Sequence, residues 1–245
     1  MADQQEPVSF AQKHHFVIRR LHSLLGIVPV GVFVCVHFLA NSTVLASADD
    51  FQTSVDRIHA LEPFLVFVEF AFIFIPLAFH ALLGLLIVWT GASNASDYRF
   101  GANIRYTLQR VTGVIAFVFI LYHVWQMHWL GSYFGGGRFE ARDASGMAMA
   151  AVSTASVIQS VWWAAPAYAI GILATAFHLA NGVWTSLITW GITIRPSSQR
   201  GSGYVCAAFG FALAFVGMGA LYGFKNFDVK AAEAHTAAAA MMHGH

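Results

Sequence analysis

Five apolar stretches, each long enough to cross a membrane as a helix, constrain this chain more than any other feature. They run near Leu21–Leu45, Pro63–Thr90, Leu108–Leu130, Val161–Trp190 and Gly203–Phe224. A hydrocarbon core of about 30 Å takes roughly 20 helical residues. In lipid a helix satisfies its own backbone polar groups, and continuous apolar runs of this length are helix signals. The expected fold class is therefore all-α, a polytopic transmembrane bundle of five helices. Pro29 and Pro76 fall inside the first two stretches, where kinks are tolerated if neighbouring groups re-satisfy the backbone. Composition agrees, with 58% hydrophobic and 10% charged residues. A soluble domain carries roughly 25% charged residues, so this surface is built for a lipid bilayer. The net charge of +1 gives no reason to expect a nucleic-acid partner. Cys35 and Cys206 stand alone in apolar segments without a CxxC pattern, which argues against structural zinc, thioredoxin-like and c-type haem motifs.

The domain organisation follows from these stretches. Residues 1–20 form a polar N-terminal segment with no cleaved signal, 21–225 the five-helix membrane domain, and 226–245 an Ala- and His-rich tail expected to be mobile. Cytoplasmic loops collect Lys and Arg. With the N-terminus inside, the inner segments hold Lys13, Arg19, Arg20, Arg99, Arg105, Arg110, Arg195 and Arg200. The outer segments hold Arg57, Arg138, Arg142, Lys225 and Lys230. Eight against five predicts a cytoplasmic N-terminus and a C-terminus outside.

His37, His80, His123 and His178 each lie deep within a different apolar stretch. Ionisable groups at bilayer depth face the bundle interior and need partners. A single such histidine is as readily a hydrogen-bonded packing residue as a ligand. Four, one per helix, are poorly explained that way. With helices one and three running outward, His37 and His123 fall in the outer half. His80 and His178 lie roughly ten to twelve residues before the inner ends of helices two and four, hence in the inner half at about 1.5 Å per residue. Two levels with two histidines each meet the requirement for two bis-histidine haems in a four-helix core. Gly84 and Gly182 follow His80 and His178 by four residues, which would leave room for a porphyrin. A competing reading is a haem-free, histidine-lined transporter or proton relay. Such sites usually add carboxylates or thiolates at the same depth, and here the only intramembrane acid is Glu69.

Seven motifs then carry a resemblance: RRLHSLLG at Arg19–Gly26, VHFLAN at Val36–Asn41, PLAFHALLG at Pro76–Gly84, LQRVTG at Leu108–Gly113, YHVW at Tyr122–Trp125, FHLANGVW at Phe177–Trp184 and WGITIRPSSQR at Trp190–Arg200. In this order they make the chain similar to the di-haem, five-helix cytochrome b subunits of succinate:quinone oxidoreductases. It resembles the quinol:fumarate reductase subunits less closely. The resemblance implies a membrane anchor of succinate dehydrogenase (complex II) in the bacterial cytoplasmic membrane. It implies two haems b as cofactors, with His80 and His178 ligating the inner iron and His37 and His123 the outer one. It also implies a flavoprotein partner carrying FAD, an iron–sulfur partner, and a membrane quinone, with menaquinone the expected type. No residue of this chain is expected to touch succinate.

Around that frame, His22, Ser23 and Arg19 are candidate contacts for haem propionates or the inner rim, with Arg20, Arg110 and Arg195 nearby. Quinone needs an apolar pocket with proton-bearing groups. Asp56, His59, Glu62, Glu69 and His128 are candidates on the outer side, and Glu62 with His59 is preferred because they precede helix two at the interface. Ala176 stands two residues before His178 where some fumarate reductase relatives carry a glutamate, which favours the succinate-oxidising branch. A quinol:fumarate reductase anchor or the haem b anchor of another dehydrogenase remain alternatives.

Overall fold

The computed structural model describes residues 10–91, 101–137, 139–143 and 146–234. Among the described residues every regular element is helical, apart from a single isolated β-bridge between Arg142 and Ala148. Five helical segments are long and apolar enough to cross a membrane: His14–Leu45, Leu65–Thr90, Asn103–Met127, Ala164–Thr189 and Pro196–Lys225, here spans 1 to 5. The chain is a multi-pass helical membrane protein. Its outward faces carry large apolar side chains such as Leu39, Phe72, Leu86, Phe211 and Phe215, as lipid contact demands.

Both prolines leave the marks the sequence predicts. Span 1 is two helices, α1 (Phe10–Ile27) and α2 (Pro29–Ser42), meeting at Val28. Pro29 has no N–H for the Leu25 carbonyl, so one rung of the ladder is lost there. Span 2 consists of α4 (Leu65–Glu69), a π-helical turn over Phe70–Phe74 and α5 (Ile75–Thr90). The Pro76 ring crowds the carbonyl of Phe72, four residues earlier, and the backbone widens at that turn. Span 3 lies within α6 (Gly101–Met127), span 4 is α9 (Ala164–Thr189), and span 5 is α10 (Pro196–Lys225) with Pro at its first position. The first and fifth helices begin earlier than hydropathy suggests, because Phe10–Arg20 and Pro196–Ser202 are polar helical extensions of apolar cores.

Three helices fill connections that read as loops: α3 (Ala48–His59), the short α7 (Trp129–Ser132) and α8 (Ala150–Gln159). Ser47 caps α3 by accepting from the Asp50 N–H at 3.0 Å. Asp49 and Asp50 occupy its first turn and Arg57 and His59 its last, a charge order that suits the helix dipole. Its buried face, Phe51, Gln52 and Val55, packs with Ala150, Ala151, Ala155 and Ile158 of α8 and with Leu221 and Phe224 of α10. Gln52 Oε1 accepts from the Ala150 N–H at 3.1 Å, and Arg142 pairs with Asp56 at 2.6 Å. Together these elements cap one end of the bundle. Phe227 and Val229, at the start of the expected tail, pack against the same cluster. Residues 235–245 of that tail lie outside the described residues. The other end carries Arg19, Arg20, Arg105, Arg110, Arg195 and Arg200, and is called the basic end below.

Span 4 packs on spans 3 and 5, while span 1 contacts span 2 through α1 and span 5 through α2. Spans 2 and 3 touch little. Between spans 1, 2, 3 and 4 runs a cavity of about 1200 Å³, large for a ligand pocket. Span 5 supplies none of its lining among the described residues.

Candidate functional site

The four membrane histidines meet in two pairs. His80 and His178 face each other with ring centres 6.0 Å apart and planes at 83°. His37 and His123 do so at 5.6 Å and 76°. The first pair lies toward the basic end and lines the large cavity. The second lies toward the cap, in a jacket of Phe33, Phe38, Phe119 and Tyr168 rings.

His80 and His178 are held in the same way. His80 Nδ1 lies 2.9 Å from the carbonyl oxygen of His22, and His178 Nδ1 lies 3.0 Å from that of Gln109. A carbonyl only accepts, so in each ring Nδ1 carries the proton and Nε2 is left to bind a metal. Each carbonyl belongs to a neighbouring span, and in each case a glycine stands four residues further along it. A Cβ at Gly26 would strike His80 Cε1 and Nδ1, and one at Gly113 would come within 2.8 Å of His178 Cε1. These two glycines let an imidazole lie in the groove of the neighbouring helix. Gly84 and Gly182, expected to make room for a porphyrin, line the large cavity, and each also faces a side chain of a neighbouring span, His22 and Gln109. Glycines thus open the site from both sides: on the histidines' own helices and on the helices facing them.

The donor set fits an iron between imidazoles. Two metal–nitrogen bonds of about 2 Å each, plus the ring radii, bring opposed ring centres to roughly 6 Å. Both pairs are close to this spacing. The cavity beside His80 and His178 gives the first pair room for a planar macrocycle. Its basic end is lined by Arg19, Arg20, Arg110 and Ser23, groups suited to carboxylate side arms. Arg110 also donates to the Ile87 carbonyl at 2.9 Å and to that of Gly91 at 3.2 Å, closing the C-terminal end of span 2. Ser23 accepts from Trp190 Nε1 at 3.2 Å. His22 is more than a rim residue: its ring stacks on His80 at 4.1 Å and 5°. Around the second pair, Tyr168 Oη lies 3.3 Å from His123 Nδ1. Asn41 donates to the His37 carbonyl at 2.8 Å.

The acid and histidine candidates for a quinone site separate into two pairs. His59 and Glu62 are 3.1 Å apart and well exposed, at 42% and 64% of their side chains. Glu69 and His128 are 3.5 Å apart and only 18% and 21% exposed. His128 Nδ1 accepts from the Leu130 N–H at 3.3 Å, so its Nε2–H points to Glu69. Trp129 Nε1 donates to the other Glu69 oxygen at 3.4 Å, and Phe74 packs on the His128 ring. Asp56 belongs to the cap, where the Gln52 amide and Arg142 hold its carboxyl below the ordinary carboxylate range.

Fold and site together define a polytopic helical membrane protein that pairs histidines across its span interfaces. The chain is 36% identical over 209 residues to the succinate dehydrogenase cytochrome b558 subunit of Bacillus subtilis (strain 168), an alignment that takes in 85% of this chain and 96% of the relative. It belongs to the family of succinate dehydrogenase cytochrome b subunits. No protein-family model matches it.

Proposed function

We propose that this chain is the membrane anchor and electron conduit of a succinate dehydrogenase, holding one haem b between His80 and His178 and a second between His37 and His123. The observation that carries the reading is the opposition of two imidazole pairs at 6.0 and 5.6 Å on four different spans. When bound, haem b supplies reversible one-electron chemistry. The chain's own residues do the rest. His22 and Gln109 orient the inner imidazoles through their carbonyls, and Arg19, Arg20 and Ser23 offer partners for propionates at the basic end. The apolar walls of the cavity exclude water. The basic end faces the cytoplasm in this reading, in line with the excess of Lys and Arg there, and docks the iron–sulfur subunit, which receives electrons from the FAD-bearing flavoprotein. The C-terminus then lies outside.

At the outer side a membrane quinone, menaquinone in the expected case, exchanges electrons and protons. Glu69 and His128 suit proton exchange better than Glu62 and His59, because they form a shielded pair at the start of span 2 beside an aromatic wall. His59 and Glu62 are a solvated surface pair.

A dithionite-reduced minus oxidised spectrum of the purified protein, with haem quantified as the pyridine haemochrome, tests the reading. Two haems b per chain are expected, with His80→Ala and His123→Ala each losing mainly one. Well-folded wild-type protein without haem overturns it and moves the reading to a histidine-lined transporter.

A further inference from the structure

Behind His178 lies a line of polar side chains that the haem-binding reading leaves without a role. Arg105 Nε donates to Asn181 Oδ1 at 2.9 Å, and Asn181 Nδ2 donates to Gln109 Oε1 at 2.8 Å. Gln109 Nε2 in turn donates to the His178 carbonyl at 3.1 Å. Gln109 therefore grips His178 twice, through its side-chain amide and through the carbonyl that accepts from His178 Nδ1. The Arg105 guanidinium lies 3.6 Å over the Trp184 ring. Asn181 is only 3% exposed.

We propose that Arg105, Asn181 and Gln109 are positioning residues that fix the height and orientation of His178 against span 3 and thereby set the reduction potential of the inner haem. Every donor in the line points the same way, from the cation toward His178, so each hydrogen bond polarises the next. A buried amide such as Asn181 has a large penalty if unpaired, which locks the register between spans 3 and 4 at this point. A firm carbonyl partner on Nδ1 makes an imidazole a stronger donor to its metal, which favours the oxidised iron. The support is specific to one ligand. His80 meets the same kind of carbonyl but has the His22 ring behind it instead of an amide chain.

The inference rests on the haem-binding reading, and the test separates the two. Asn181→Leu and Asn181→Ser are made in the assembled complex and titrated potentiometrically, with visible and low-temperature EPR spectra of each haem. Either variant should shift the inner haem roughly threefold toward the reduced form, about 28 mV at 59 mV per tenfold for one electron. Its low-spin EPR signal should move while the outer haem stays unchanged. Loss of the inner haem alone from both variants is the same result in stronger form. Two haems with wild-type potentials and EPR signals in either variant overturn the proposal, as does loss of both haems from both variants, which marks a purely structural residue. Absence of haem from the wild type overturns the reading beneath it.

Discussion

Gly113 lies against the imidazole of His178, and it is this missing side chain that lets His178 Nδ1 reach the Gln109 carbonyl one turn earlier. Gly26 does the same for His80 beside the His22 carbonyl. Gly26→Ala and Gly113→Ala should each displace an inner imidazole from its carbonyl partner. Loss of such a partner typically weakens a metal site about 10–100-fold. The inner haem should titrate out of these variants in haem quantification while the outer one is retained. Full retention of both, with unshifted spectra, would contradict the role assigned to these glycines.

Glu69→Gln leaves an amide oxygen that can still accept from the His128 Nε2–H but removes the carboxyl that can exchange a proton, and should lower succinate-driven quinone reduction by roughly 100-fold, the scale of general acid–base assistance. Haem content should not change. Glu62→Gln should leave turnover near wild type. The opposite ranking in a quinone-reduction assay would return the quinone site to the His59–Glu62 pair.

The cap has a pH signature. Gln52 and Arg142 hold the Asp56 carboxyl below its ordinary value, so the folded state favours the charged form. That contribution is complete above about pH 4 and is lost as the pH falls through the lowered folded value. Amide exchange in 48–59 should quicken only in that acid range, and Asp56→Asn should erase the dependence. An exchange profile identical in both proteins would count against the pairing.

Phe51 is 3% exposed and meets the Phe224 ring edge-on at 5.0 Å. Phe51→Ala should destabilise the cap by about 3–5 kcal/mol, the range for a buried aromatic truncated to alanine. Thermal unfolding in detergent, followed by the fluorescence of Trp163 and its neighbours, is the check. An unchanged transition would mean that the cap is not coupled to the bundle.

The long-range design was legible in the sequence because lipid leaves few choices. Apolar runs, depth and one deeply placed histidine on each of four spans sufficed to bring His80 to His178 and His37 to His123. Short-range partners were not legible, since backbone carbonyls such as those of His22 and Gln109 carry no residue signature. A signal existed nonetheless: His22 precedes Gly26, and Gln109 precedes Gly113, by the same four residues. The helices α3 and α8 escaped notice because each is short and its apolar face becomes visible only against the other. The Glu69–His128 pair joins the second span to the end of the third, a proximity that no spacing along the chain encodes.

The cap also says something about how the molecule is made. Phe51, Ala150 and Phe224 belong to one cluster, yet they come from the first connection, the third connection and the end of the last span. Their contact cannot exist until all five spans have crossed and turned. Burial of Phe51 is therefore completed last: a chain arrested after four spans lacks the Phe224 ring against it and leaves the cap more open to proteases and to the cell's quality control.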